Sequence, residues 1–125
     1  MNQLSSIQAF VTKQPKFKLV VTSAMDGLNY INVGRILSEY IVDKLSNSDI
    51  AQAAMEYMRD YMRTHTAYHP ELGEYIALTN IAILQEPALK MDVAYLITEL
   101  SKSHLLFINT ADADLDLAQV PHLAL

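Results

Sequence analysis

Two histidines four residues apart, His65 and His69, are the clearest candidates for metal ligands in this sequence. On a helix both would face one ion, and Glu71 or Glu74 could supply a third ligand through oxygen. Such a set would suit a small metal-dependent hydrolase. A proline and a glycine interrupt any helix in this segment, however, and the HExxH pattern with its general-base glutamate is absent. The segment therefore also fits a solvated loop with two ordinary histidines.

Two arginines one helical turn apart, Arg59 and Arg63, form the most basic local pattern in the sequence. They stand beside Tyr57 and Tyr61, and guanidinium groups bind phosphate or carboxylate groups through paired hydrogen bonds. We therefore consider them candidates for contact with a phosphate or an acidic partner. The alternative is that they pair with the acidic residues of the same segment.

Methionine and tyrosine occupy much of the segment Ile50–Thr64, which has the periodicity of an amphipathic helix. Its apolar residues cover more of the helix than a single buried stripe would need. Methionine and tyrosine are enriched at contact surfaces, so the pattern predicts either a partner or self-association surface or a broad core face. The predicted interface residues are Met55, Tyr57, Met58, Tyr61 and Met62.

Three aspartates alternate with apolar residues near the end of the sequence, at Asp112, Asp114 and Asp116. Their oxygens could bind calcium or magnesium, but the glycine and glutamate that an EF-hand loop requires are missing. We expect residues 110–125 to form a mobile, solvated acidic tail.

The composition is that of one ordinary globular domain of 125 residues, with 51% hydrophobic and 18% charged residues. Without cysteine there can be no disulfide, thiolate metal site or cysteine nucleophile. No apolar run approaches the roughly 20 residues that cross a bilayer, and the first residues do not resemble an export signal, so we expect a cytoplasmic protein. A formal charge of −5 argues against direct coating of nucleic acid, which we expect only indirectly, through an assembly.

Strand-like and helix-like segments alternate along the chain, which predicts an α/β fold. We expect a mostly parallel sheet with helices on its faces, in two or three layers. The predicted helices cover residues 4–13, 35–45, 50–64 and 89–102, and the predicted strands cover residues 17–23, 29–33, 75–84 and 104–109. We assign residues 1–15 to an N-terminal helix together with the residues that begin and end it, and residues 65–73 to a loop.

One junction does not suit parallel strands. Only five residues separate the predicted strands 17–23 and 29–33, whereas a parallel crossover connection needs a dozen or more. We therefore expect an antiparallel hairpin or one continuous bent strand at this point.

Three segments, YINVGRILSEY (30–40), YIALTNIAILQEPALKMD (75–92) and LITELSKSHLLFIN (96–109), resemble a known family as a set and in this order. They are similar to the small P-loop protein of type 3 bacteriophage-exclusion (BREX) defence systems, a compact relative of AAA-type ATPases. The resemblance covers about residues 17–109. It implies a nucleotide-binding α/β fold and a role in anti-phage defence or an allied mobile-element system, as a partner of larger subunits.

The sequence departs from that family where nucleotide would bind. It has no GxxxxGK[ST] loop, and Thr22-Ser23-Ala24 runs directly into Met25-Asp26-Gly27. Uncharged Thr79 and Asn80 stand where the family has an aspartate that holds magnesium. The resemblance therefore implies a degenerate P-loop fold that cannot bind nucleotide in the usual way.

Together these patterns predict a non-catalytic interaction subunit, without a cofactor, in a larger assembly. Two alternatives stay open. One is the metal-dependent hydrolase with His65 and His69, and the other is a nucleotide-binding regulator whose degenerate site lies near Ser23, Gly34 and Asn109.

Overall fold

A computed structural model describes residues 3–22, 27–44, 49–81, 93–109 and 123–124. The helices within these ranges are α1 (Gln3–Thr12), α2 (Val33–Ile41), α3 (Ile50–Thr64) and α4 (Val93–Ser103). The strands are β1 (Leu19–Thr22), β2 (Ile31–Asn32), β3 (Ala67–His69), β4 (Gly73–Thr79), β5 (Leu105–Asn109) and β6 (Leu123–Ala124).

The strands form one sheet in the order β2-β4-β5-β1-β6, and each neighbouring pair in this order is parallel. Strand β3 pairs antiparallel with the first half of β4, while β2 pairs with the last two residues of β4 along the same edge. The predicted α/β fold with a mostly parallel sheet is confirmed.

Side chains that alternate along β1, β4 and β5 divide the core into two parts. Leu19, Ile76 and Leu106 belong to the larger part, which includes the buried residues of α2, α3 and α4. Their neighbours Val20, Ala77 and Phe107 belong to the smaller part, with Ile7 of α1. Because successive strand residues point to opposite faces, the sheet is a middle layer between α1 on one face and the other helices on the opposite face.

The predicted hairpin between β1 and β2 is wrong. The two strands are parallel members of the sheet, with β4 and β5 between them. Three strand spacings amount to about 14 Å, and the nine residue steps from Thr22 to Ile31 can reach about 30 Å. Since β2 pairs only with Leu78 and Thr79, at the end of β4, the chain does not have to return along a full strand. The usual minimum length for a crossover therefore does not apply.

Two segments that we assigned to loop or tail contribute strands instead. Residues 67–69, inside the predicted loop, form β3, and Gly73 after the short turn adopts φ +84°, a conformation that glycine permits. Leu123 and Ala124 pair with β1, so this part of the predicted mobile tail belongs to the sheet. The alternating aspartates of the tail lie outside the described residues.

Several element ends also differ from the prediction. Strand β4 stops at Thr79, five residues earlier than expected, and Asn80 then adopts φ +56°. Helix α2 begins earlier than predicted, because Asn32 Oδ1 accepts a hydrogen bond from the backbone N–H of Arg35 at 3.0 Å and caps it. Helix α3 has the predicted bounds, although Asp49 makes no capping hydrogen bond with its side chain.

Gly34 is needed where α2 begins. Asn80 Nδ2 donates to Asn32 Oδ1 at 3.0 Å, which holds the Asn80 side chain across the first turn of α2. A Cβ atom on residue 34 would meet Asn80 Nδ2 and would lie 2.7 Å from Asn80 Cγ. Only glycine allows the helix and the residue after β4 to approach this closely.

We expect Gly34→Ala to lower the free energy of unfolding by about 1–3 kcal/mol, because the added methyl group has no space beside Asn80. Urea denaturation measures this change. The same substitution in an Asn80→Gly background should cost much less, since the clashing side chain is gone. An equal cost in both backgrounds would contradict this account of the junction.

Candidate functional site

His65 ends α3 and is held there by contacts within its own segment. Its ring stacks on Tyr61, with the ring centroids 3.8 Å apart and the planes at 7°. Its Nδ1 lies 2.8 Å from the Tyr61 carbonyl oxygen, which can only accept, so Nδ1 must carry the hydrogen. The histidine therefore acts as a cap on the last turn of α3.

The other predicted metal ligands are engaged in different contacts. His69 lies in β3, and its Nδ1 accepts a hydrogen bond from the backbone N–H of Glu71 at 3.0 Å. Glu74 Oε1 lies 3.6 Å from His104 Nε2. In the part of the chain that the structure describes, no three histidine or carboxylate side chains come together as a metal site would require.

The predicted interface residues of α3 fall into two groups. Met58 and Met62 have no exposed surface and pack in the larger core, so their side chains do not reach the protein surface. Met55, Tyr57 and Tyr61 are partly buried at the border of the same core. Of the predicted interface residues, only Met55 and the two tyrosines therefore retain surface that a partner could contact.

The two tyrosines belong to an aromatic column, two of whose three contacts are stacked, that the sequence did not reveal. Tyr57 stacks on Tyr40 of α2, with the centroids 3.9 Å apart and the planes at 5°. The Tyr57 and Tyr61 rings are tilted by 40° to each other, with their centroids 6.1 Å apart. With the stack of Tyr61 on His65, the column runs through Tyr40, Tyr57, Tyr61 and His65. The four-residue spacing of Tyr57, Tyr61 and His65 was visible in the sequence. The sequence did not show that Tyr40 of α2 stacks on Tyr57.

A lysine closes the α2 end of this aromatic column. Lys44 Nζ lies 4.4 Å from the centroid of the Tyr40 ring and donates to the Tyr40 carbonyl oxygen at 3.1 Å. It also donates a hydrogen bond to Asp43 Oδ1 at 3.1 Å, and this bond, together with the positive charge of Lys44, holds the pKa of Asp43 below the usual value. The column thus has a cation over one end and an imidazole ring at the other.

The two arginines lie on the side of α3 away from the tyrosines. Arg59 is half-exposed, with its Nε atom buried without a hydrogen bond and 3.9 Å from Asp60 Oδ1. Glu56 instead accepts a hydrogen bond from Gln52 at 3.1 Å. Arg63 is exposed and makes no ion pair with any residue that the structure describes. The expected pairing with Glu56 and Asp60 is thus limited to one long contact.

The carboxyl ends of four parallel strands carry a row of uncharged polar residues. The last residues of β2, β4, β5 and β1 are Asn32, Thr79, Asn109 and Thr22. Asn32 pairs in register with Thr79, and Asn109 pairs with Thr22. Thr79 and Asn109 follow the registered pair Leu78 and Ile108. We call these four residues the polar row.

The polar row lies where ligands bind to open α/β sheets. It supplies hydroxyl and amide groups but no charge, and Thr22 is fully buried. Of the residues predicted near this edge, Gly34 lies against Asn80 and Asn109 belongs to the row, whereas Ser23 is outside the described residues. The sequence signal was present, as a Thr or Asn at each strand end, but their common register required the sheet.

No known protein family matches this chain, and no curated protein or solved structure shows significant similarity to it. None of the helices in the described ranges is both long and apolar enough to cross a membrane.

We expect Met58→Ala to cost about 2–5 kcal/mol of unfolding free energy, because it opens a cavity in the core. Met55→Ala should cost about 1 kcal/mol or less, because Met55 is only partly buried. Thermal denaturation of both variants beside the wild type measures the difference. Equal losses would contradict the separation of α3 into a core side and a surface side.

We expect ATP with magnesium to leave the thermal midpoint unchanged, because the polar row offers no charge to bind phosphate or metal. A ligand at about 100 times its dissociation constant would add about 2.7 kcal/mol of stability and raise the midpoint by several degrees. Differential scanning fluorimetry with ATP, with and without magnesium, tests this. A magnesium-dependent rise, or turnover of ATP by the pure protein, would contradict the prediction.

Proposed function

We propose that this chain is a non-catalytic interaction subunit that contacts a protein partner or a second copy of itself through the outer side of α3. The observation that carries the proposal is the aromatic column, whose tyrosines are half-buried against the core and leave their remaining surface to solvent. Val42, which follows α2, is a further exposed apolar residue, with 70% of its surface accessible. Exposed apolar area of this kind is typical of contact surfaces.

The stacking within the aromatic column favours binding for a further reason. A side chain that becomes ordered on association costs about 0.5–1.5 kcal/mol, and tyrosine has only two rotatable side-chain bonds to fix. Tyr40 and Tyr57 already hold each other in place, so most of that cost is met when the domain folds. A partner would therefore contact a rigid aromatic surface. The two arginines of α3 would lie on the other side of the helix, outside this contact.

The resemblance of residues 30–40, 75–92 and 96–109 to the small P-loop protein of BREX systems supports an assembly in anti-phage defence or a mobile element. The mostly parallel sheet is of the class that this resemblance implies. In such an assembly the chain would act in the cytoplasm as a degenerate P-loop subunit, and it would meet nucleic acid only through larger partners. Identification of the neighbouring genes is the most direct test of this setting.

A second candidate function is a degenerate nucleotide-binding regulator, and the polar row is the observation that favours it. The row lies at the carboxyl ends of parallel strands, which is where ligands bind in open α/β sheets. A nucleotide there would bind without the lysine and the acidic residue that hold phosphate and magnesium. The thermal-shift measurement with ATP separates this function from the interaction subunit.

If the chain associates with itself through the aromatic column beside α3, Lys44→Glu should weaken that association, since it reverses the charge that lies over the Tyr40 ring at one end of the column. Arg35→Glu is the matched control: it makes the same change in charge at an exposed position in the first turn of α2, where a negative charge suits the helix dipole. Sedimentation velocity at high micromolar concentration measures association. We expect an oligomer for the wild type and the control, and a smaller species for Lys44→Glu.

The outcomes separate the possibilities. A wild-type chain that stays monomeric at about 14.0 kDa would contradict self-association. An equal effect of both variants would show that total charge, rather than the outer side of α3, controls the association.

A further inference from the structure

Three side chains, Ser103, His104 and Glu74, make successive contacts where α4 ends and β5 begins. Ser103 Oγ lies 2.9 Å from His104 Nδ1, and His104 Nε2 lies 3.6 Å from Glu74 Oε1. Ser103 is the last residue of α4, and Glu74 lies in β4. Because Tyr75 pairs in register with Leu105, the residues just before them, Glu74 and His104, are neighbours across the sheet. We call Ser103, His104 and Glu74 the triad.

Backbone hydrogen bonds hold the triad at this junction. The His104 N–H donates to the Leu100 carbonyl oxygen at 2.9 Å, and the Lys18 N–H donates to the Ser101 carbonyl oxygen at 2.8 Å. The His104 side chain is only 18% exposed, whereas Ser103 is exposed. The imidazole ring is therefore held in place, and the hydroxyl group beside it is accessible to a molecule from solution.

Glu74 decides which nitrogen of His104 carries the hydrogen. If Nδ1 carried it, the lone pair of Nε2 would face the Glu74 carboxylate, which is unfavourable. With the hydrogen on Nε2, the ring turns an N–H group to the carboxylate and a lone pair to Ser103 Oγ. The hydroxyl group also lies 3.4 Å from the Leu100 carbonyl oxygen, but Nδ1 is the nearer acceptor. Ser103 therefore donates to a nitrogen that can act as a base.

A second pair of a hydroxyl group and a histidine in this chain lacks that arrangement. Thr64 Oγ1 lies 3.1 Å from His65 Nδ1, but this nitrogen donates to the Tyr61 carbonyl oxygen and has no lone pair to offer. The Thr64 hydroxyl group instead donates to the Asp60 carbonyl oxygen at 2.8 Å. Only the pair at residues 103 and 104 is therefore arranged to activate its hydroxyl group, among these two.

We propose that Ser103 is a nucleophile that accepts an acyl group from an activated carboxylic ester, with His104 as the general base and Glu74 as the positioning residue. Ser103 Oγ bonds to the acyl carbon, and the bond from that carbon to the leaving oxygen breaks. The Oγ proton passes to His104 Nδ1 and then to the leaving group. The imidazolium formed in this step is stabilised by Glu74 and by the carboxyl end of α4, where positive charge is favoured.

An uncharged ester suits this site better than a phosphoryl donor, because the Glu74 carboxylate would repel the negative charge of a phosphoryl group. The inference goes beyond the interaction function and does not rest on it, since the triad belongs to α4, β4 and the start of β5 and not to α3. One covalent modification per chain also requires no catalytic turnover.

The test incubates the full chain with p-nitrophenyl acetate and locates acetyl groups by mass spectrometry of its peptides. Hydroxylamine removes acetyl from a serine oxygen but not from a lysine amide. We expect an acetyl ester on Ser103 that is absent in Ser103→Ala. It should form about 100-fold more slowly in His104→Gln, since general-base assistance contributes about 10²–10⁴ in rate. Glu74→Ala should slow it less. The matched controls Thr64→Ala and His69→Gln remove a hydroxyl group and an imidazole elsewhere and should not change the rate.

NMR of the imidazole nitrogens measures the tautomer of His104 directly. We expect the hydrogen on Nε2 in the wild type and a larger share on Nδ1 in Glu74→Ala, because the carboxylate that selects the tautomer is gone. A role of Glu74 in stability alone would not change the tautomer. Thermal denaturation shows whether each variant is folded.

Several outcomes would overturn this proposal. They are an unmodified Ser103, acetylation of Thr64 at an equal rate, a rate that His104→Gln leaves unchanged, or a phosphoryl group on Ser103 after incubation with p-nitrophenyl phosphate. A wild-type His104 with its hydrogen on Nδ1 would also overturn it. Association through α3 is measured separately by sedimentation, so the interaction function can survive each of these results.

Discussion

The parallel pairing of β4 with β5 buries side chains on both faces of the sheet, and the rest of the fold depends on this burial. Residues 75–78 and 105–108 are all buried, so neither strand can face water on either side. Helices must then cover both faces, which they do with α1 on one face and α2, α3 and α4 on the other. When both faces of a parallel sheet are covered, other molecules can contact the two ends of its strands, its outer strands and the outer sides of its helices.

The two ends of the parallel strands carry different chemical groups. At the carboxyl edge, the polar row and the junction of Gly34 with Asn80 supply hydrogen-bonding groups without charge. At the amino-terminal ends of the strands, the Lys18 backbone bonds to Ser101 and Leu106, which joins the start of β1 to the end of α4. The uncharged groups at the carboxyl ends suit packing or weak polar recognition. The outer side of α3, with its half-buried tyrosines, is a third and separate surface.

Helix α3 shows why an apolar pattern alone does not identify an interface. Residues 56–63 repeat the order acid, Tyr, Met, Arg twice, so each residue type forms its own line along the helix. The methionine line faces the core, the tyrosine line meets α2, and the arginine line lies on the other side. The sequence contains the four lines, but only the position of the sheet shows that the methionines are inside.

The sequence by itself determined the α/β class, the bounds of α3 and the approximate places of β1, β4, α4 and β5, because periodicity and β-branched runs are local signals. It also determined that charge is absent from Thr79 and Asn80 at the end of β4. Only the tertiary structure decided that two strands separate β2 from β1, that Tyr40 stacks on Tyr57, and that Lys18 lies near Lys102. Each of these depends on pairing between segments far apart in sequence, and such pairing is selected by the burial of the whole sheet rather than by neighbouring residues.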